Sequence, residues 1–104
     1  MASTRTGART ALENLIAHAP GYRPSFYRTS NGAEVDLVLQ KGARTVAFEI
    51  KASSTPSVQK GFWNAVEDLQ PDEVCIVGPV RESYPLANDV MVRTLEDAVN
   101  VIDR

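Results

Sequence analysis

Between residues 33 and 52 apolar residues fall on every second position. Val35, Leu37 and Leu39 alternate with Glu34, Asp36 and Val38; Val46, Phe48 and Ile50 alternate with Ala47, Glu49 and Lys51. Successive strand side chains point to opposite faces, so the pattern predicts strands over 33–40 and 44–52, each with one apolar face. The period differs earlier in the chain. Over 8–18, Ala11, Leu12, Leu15, Ile16 and His18 lie near one stripe of a helix, which Pro20 and Gly21 end. Residues 1–7 precede this pattern and are expected to be a disordered tail. Phe26 and Tyr27 mark a short strand over 24–30, with one ring inside and the other exposed, and Ser30-Asn31-Gly32 reads as a turn. Residues 57–69 predict a helix, with Pro56 near its start and Pro71 beyond its end. Residues 73–78 form an apolar strand, 80–89 a polar loop, 90–94 a last strand and 95–102 a last short helix.

The order is α-β-β-β-α-β, then β-α. Short connections make the first three strands an antiparallel meander, and the middle helix allows a crossover to the fourth. The expected fold class is therefore α/β, a mixed sheet of four or five strands flanked by helices, in one domain spanning 1–104.

The two alternating strands are joined by Lys41-Gly42-Ala43-Arg44. Glycine at the first central position suits a two-residue type II′ turn. With Gly42 and Ala43 as that turn, Asp36 faces Glu49 and Glu34 faces Lys51. Opposed residues on one face have Cβ atoms about 4.5–5.5 Å apart. Two carboxylates this close repel unless a positive charge lies between them or one is protonated. Hard oxygen ligands without His or Cys favour Mg²⁺ or Mn²⁺. Lys51, two residues after Glu49, points the same way and suits charge building on a phosphoryl oxygen, or an attacking water. On the hairpin alone, a solvated sheet face with a Glu34–Lys51 ion pair is the plainer reading.

Composition changes the picture little. The chain is 43% hydrophobic and 23% charged, with a net charge of −2. Residues 1–30 carry four arginines and one carboxylate, while residues 61–104 carry three arginines and nine carboxylates. Scattered arginines read as a solvated face, and the acidic end opposes a broad nucleic-acid surface. No apolar run approaches the ~18 residues of a membrane span, and "MASTRTGART" has no apolar signal region. Cys75 is the single cysteine. That excludes an intrachain disulfide and a thiolate zinc site and fits a cytoplasmic compartment.

Asp36 followed by Glu49-Ile50-Lys51 on adjacent strands, after a helix carrying Glu13, resembles the PD-(D/E)XK nuclease superfamily. That superfamily shares a restriction-endonuclease-like core in the order read over residues 8–78. The stretch "FYRTSNGAEVDLVLQKGARTVAFEIKASS", with Lys60-Gly61 after it, is similar to the uncharacterised C-terminal domain of prokaryotic AAA+ ATPase-like proteins over about residues 8–103. The resemblance implies Asp36 and Glu49 as metal ligands with Glu13 in support, and Lys51 as the catalytic lysine. Ser53 and Gln59 become phosphate contacts, and Mg²⁺ or Mn²⁺ the cofactor. Arg28, two residues after Phe26 on the same strand face, could also serve a phosphate, but a surface or ion-pair role is its plainer reading. The resemblance implies DNA or RNA as substrate, or else a non-catalytic accessory module with a relic site. An ATPase domain in cis or trans and a second copy in a homodimer are the implied protein partners. Two departures stand out. Val35 replaces the proline before Asp36, and no Gly-x-x-x-x-Gly-Lys-Ser/Thr occurs to bind ATP.

Among the remaining residues, His18 is expected against the carbonyls of its helix end. Phe62, Trp63 and Cys75 are expected in the core.

Overall fold

A computed structural model describes the backbone of residues 2–104 and the side chains from Gly7 onward. Helix α1 spans Ala2–Ala17. It starts six residues ahead of the expected position, so residues 2–7, expected as a tail, are helical. His18 follows it and holds its Nδ1 2.8 Å from the Asn14 carbonyl, as expected of a terminal histidine. Strands β1 (Arg23–Arg28), β2 (Glu34–Lys41) and β3 (Arg44–Ile50) come next. After them come α2 (Lys60–Leu69), β4 (Glu73–Val77), β5 (Tyr84–Ala87), β6 (Val90–Arg93) and α3 (Leu95–Ile102).

The strands form one mixed sheet in the order β1-β2-β3-β4-β6-β5. The first three are an antiparallel meander. The α2 crossover sets β4 parallel to β3, and β6 is parallel to β4. The α/β class and the mixed sheet are as expected. The extra strand is β5, which lies in the expected polar loop. Asn88 and Asp89, with φ of +50° and +64°, turn β5 into β6, and Ala87 pairs with Val90 on either side of them. Two successive left-handed residues are the signature of a type I′ hairpin. Pro85 confines β5 to an edge, where a missing N–H costs no ladder bond.

The β2–β3 register is the one the turn residues predict. Lys41 opposes Arg44 and Leu37 opposes Phe48, and Gly42 takes a φ of +58°. The sheet then separates two cores. Leu37, Leu39, Val46, Phe48, Cys75 and Val77 pack with Leu15 of α1 and with Ala98, Val101 and Ile102 of α3. Val35, Val38, Ile76 and Val92 pack with Phe62 and Ala65 of α2.

Strict alternation puts Val35 with Leu37, and here the chain departs from it. Ser25 pairs with Val38, but Tyr27 pairs with Val35. Asp36 and Leu37 therefore stand against Phe26 alone. This is a β-bulge, and it shifts one stretch of β2 to the opposite face.

Arg44 ties the sheet to α3. Its Nη2 donates to the Val101 carbonyl at 2.8 Å and its Nε to the Tyr22 hydroxyl at 3.1 Å, while Tyr22 donates to the Ile102 carbonyl. A guanidinium at a helix C-terminus satisfies carbonyls that have no partner within the helix. At its other end, α3 is capped by Thr94, whose Oγ1 accepts the Asp97 N–H at 3.1 Å.

Helix α2 approaches the β1–β2 turn so closely that a Cβ on Gly61 would lie 2.3 Å from the Gly32 carbonyl oxygen. Gly61→Ala is therefore expected to push α2 off the sheet and cost about 1–3 kcal/mol. Gly7 sits in α1 with open space around it, so Gly7→Ala is expected to gain roughly 0.5–1 kcal/mol. Urea denaturation of both variants checks the pair; equal midpoints would refute the close approach.

Candidate functional site

Three local features build the site at the C-terminal end of β3. The β2–β3 ladder ends at Leu37 and Phe48, where β2 enters its bulge. The next inward N–H on β3, that of Ile50, has no strand partner there. The Asp36 carboxylate takes it, with Oδ2 accepting at 2.9 Å. On its other side β3 continues along β4, where the Lys51 N–H donates to the Val77 carbonyl at 2.8 Å. The bulge thus turns Asp36 toward the backbone, and the parallel neighbour holds Glu49 and Lys51 in place.

Glu49 and Lys51 face α2. They line a cleft of about 340 Å³ with Gly32, Glu34, Gln59, Gly61 and Phe62. Only 13% of the Glu49 side chain is exposed. Its Oε2 lies 3.3 Å from Lys51 Nζ, and its Oε1 is buried with no hydrogen-bond partner. Burial raises the Glu49 carboxyl above the usual carboxylate range, and the nearby Asp36 charge adds to this. The Lys51 ammonium and the Asp36 backbone N–H pull it back only in part.

Asp36 is brought near Glu49 but does not line the same hollow. It borders two shallower ones, of about 280 and 220 Å³, each also lined by Phe26. The bulge is the reason, because it moves Asp36 out of the simple face-to-face pairing that the hairpin predicts.

The other expected site residues divide. Gln59 lines the cleft. It is also the N-cap of α2, with extended backbone and a side chain that makes no capping bond. Glu34 lines the cleft too, but its ion pair is with Arg28, at 3.0 Å, and not with Lys51. Arg28 is thereby engaged through its Nε. Ser53 turns away, its hydroxyl accepting the Thr55 N–H at 3.0 Å. Glu13 is exposed on α1 and pairs with Arg9 at 3.6 Å. It does not join Asp36 and Glu49; among the described residues no three His, Cys, Asp or Glu side chains gather as a metal group. The reason is rotational, since Glu13 lies beside Leu12 but outside the stripe that Leu15 buries. Cys75 is fully buried, which pushes its thiol up to about 11.

Sequence reasoning missed Gly32 and Gly61 as walls of the cleft. The signal for Gly32 was the Ser-Asn-Gly turn, whose last residue has a φ of +93°. Gly61 carried no local signal, because its role arises only where α2 meets that turn.

Comparisons with known proteins place this geometry in context. Residues 9–97 match the family described as Domain of unknown function (DUF4143), a span that includes the whole cleft. An uncharacterized protein of Mycobacterium tuberculosis and another of Mycobacterium bovis are each 38% identical over 80 residues. Those residues are 77% of this chain but 18% of each relative, so the chain spans a small part of the relatives it matches. No solved structure matches it. Among the described residues no helix is long and apolar enough to cross a membrane.

Because the folded state raises the Glu49 carboxyl, ionising Glu49 opposes folding. The stability it withholds is present below the ordinary glutamate range and is lost as pH rises through the raised value. In chelator, Glu49→Gln is expected to be more stable than the native chain at neutral pH. A gain of about 1 kcal/mol, the low end for relieving an unpaired buried polar group, moves Tm by roughly 4–8 °C in a domain of this size. The difference is expected to vanish at pH 3.5. Melting curves at the two pH values check this; a lower Tm for the variant at pH 7 would refute it.

Proposed function

Because the chain belongs to the family of domains of unknown function DUF4143, whose description names no chemistry, we propose a function from the cleft itself: metal-dependent hydrolysis of nucleic-acid phosphodiesters. The observation that carries it is the buried, unpartnered Oε1 of Glu49, with Asp36 nearby and Lys51 3.3 Å from the other oxygen. A carboxylate oxygen without a donor inside a protein is the environment a cation relieves. Two carboxylates suffice for Mg²⁺, which keeps several waters and takes one or two protein carboxylates. The residues present therefore fit the ion, with Asp36 and Glu49 as the pair that would hold it and Glu13 outside the set. When bound, the ion neutralises phosphate charge and lowers the pKa of a bound water.

The chain's own groups then have distinct tasks. Asp36 spends one oxygen on the Ile50 N–H, which fixes the carboxylate and leaves the other free. Lys51 is tethered to Glu49 and partly exposed, so its ammonium can donate to a non-bridging phosphoryl oxygen as charge builds there. Gln59, uncommitted at the mouth of α2, is placed to orient that phosphate. A water oxygen bonds to phosphorus, the bond to the leaving sugar oxygen breaks, and that oxygen takes up a proton.

A second reading is favoured by two observations. The matched residues make up only 18% of each relative, and among the described residues no third ligand side chain joins the pair. On that reading the domain is a non-catalytic module, serving an AAA+ ATPase-like protein and carrying a relic site.

Calorimetric titration with Mn²⁺ separates the two. Binding is expected for the native chain and its loss in Asp36→Asn, which keeps an acceptor for Ile50. Lys51→Ala is expected to retain the metal and to lose at least about 100-fold in cleavage of DNA or RNA. If neither cleavage nor binding occurs, and Asp36→Asn folds unchanged, the module reading holds.

A further inference from the structure

We propose that Phe26 is a base-stacking platform, and that the strand this domain takes is single-stranded nucleic acid. The inference rests on the phosphodiester reading and names its substrate class. Phe26 is 71% exposed, the opposite of what a phenylalanine on a sheet next to a core normally shows. It stands alone against the β2 bulge and lines both hollows that Asp36 borders. A base lying on this ring would hold its backbone beside Asp36, one carboxylate of the candidate metal pair. Arg28, two residues on, lines one of the same hollows and engages Glu34 only through Nε. Its Nη atoms have no partner among the described residues, so they are free to meet a phosphate.

The alternative occupant, a protein, needs more apolar surface than is present. The other large exposed apolar side chain here is Ile16, 41% exposed, across the second hollow. Leu86 lies on β5 at the far edge of the sheet. Stable protein interfaces bury about 1,200–2,000 Å², whereas one aromatic face is enough for one base. A paired base in a duplex keeps its faces covered by its neighbours, and only an unstacked one can use the ring.

The test is fluorescence anisotropy with a labelled 12-nucleotide DNA, its RNA counterpart and the matching duplex, in EDTA, on the full chain. In EDTA binding is read without cleavage, so a failed platform and a failed metal site are told apart. Phe26→Ala is expected to weaken single-strand binding about 10-fold, Phe26→Trp to restore it, and the duplex to bind more weakly than either single strand. Unchanged melting temperatures verify that both variants fold. Equal single-strand affinity for Phe26→Ala and the native chain overturns the proposal, as does the absence of any binding. A native dimer that Phe26→Ala converts to monomer in sedimentation, without strand binding, also overturns it and assigns the ring to a self-interface.

Discussion

The extra residue that β2 carries opposite Phe26 decides how the rest of the molecule is arranged. Without it, Val35 and Leu37 would share a face, and the α2 core would lose Val35, which is 1% exposed. With it, Leu37 faces α1 and α3 while Val35 faces α2. Both cores are filled from one strand. The same step opens the β2–β3 ladder, and the open Ile50 N–H is what Asp36 satisfies. A buried amide left unpaired would cost about 1–3 kcal/mol, so Asp36 has a structural task whatever the cleft does. The functional reading therefore rests more firmly on Glu49, whose free oxygen has no such task.

The cleft also depends on β3 having different neighbours on its two sides. It runs antiparallel to β2 and parallel to β4. Where β2 bends away, β4 continues, so the chain after Ile50 is held on one side only. Crevices at the carboxyl ends of parallel strands, where the topology changes, are where α/β sheets bind ligands. Gly61 completes the enclosure by letting α2 reach the Gly32 carbonyl. Any side chain there would push the wall of the cleft outward.

Most of this frame was legible in residue order. Gly42 at the hairpin predicts the register that brings Leu37 opposite Phe48, and the apolar run 73–78 predicts a strand placed parallel by α2. Glu49 and Lys51 were legible as neighbours from strand alternation, whereas Gln59 came from the family resemblance alone. The bulge was not, because alternation in "AEVDLVLQ" looks unbroken. Only β1, pairing Tyr27 with Val35, reveals the extra residue, and that is a tertiary fact. Strand β5 was hidden by Pro85 and by polar residues around it, although Asn88-Asp89 carried the turn signal. Glu13 was misplaced because a superfamily position was carried to a helix whose rotation is set by Leu15 and Leu12. The Glu34–Lys51 pair failed because Arg28, directly opposite Glu34 on β1, is the nearer cation.

A module that only docks to a partner has no use for a buried carboxylate raised by burial and by a like charge. Glutamine in its place would keep a polar contact for Lys51 and remove the repulsion from Asp36. Glu49 carries a stability cost that Lys51 and the Asp36 backbone N–H offset only in part. Lys51 lies against Oε2, while Oε1 is buried without a hydrogen-bond partner. On the proposed reading, an ion between Asp36 and Glu49 would remove both penalties at once, by meeting the orphaned oxygen and screening the two charges from each other. It would also leave Lys51 less tightly drawn to Glu49 and more available to a phosphate. The cost Glu49 carries in the folded chain and the proposed chemistry thus have a single origin, the geometry of one carboxylate.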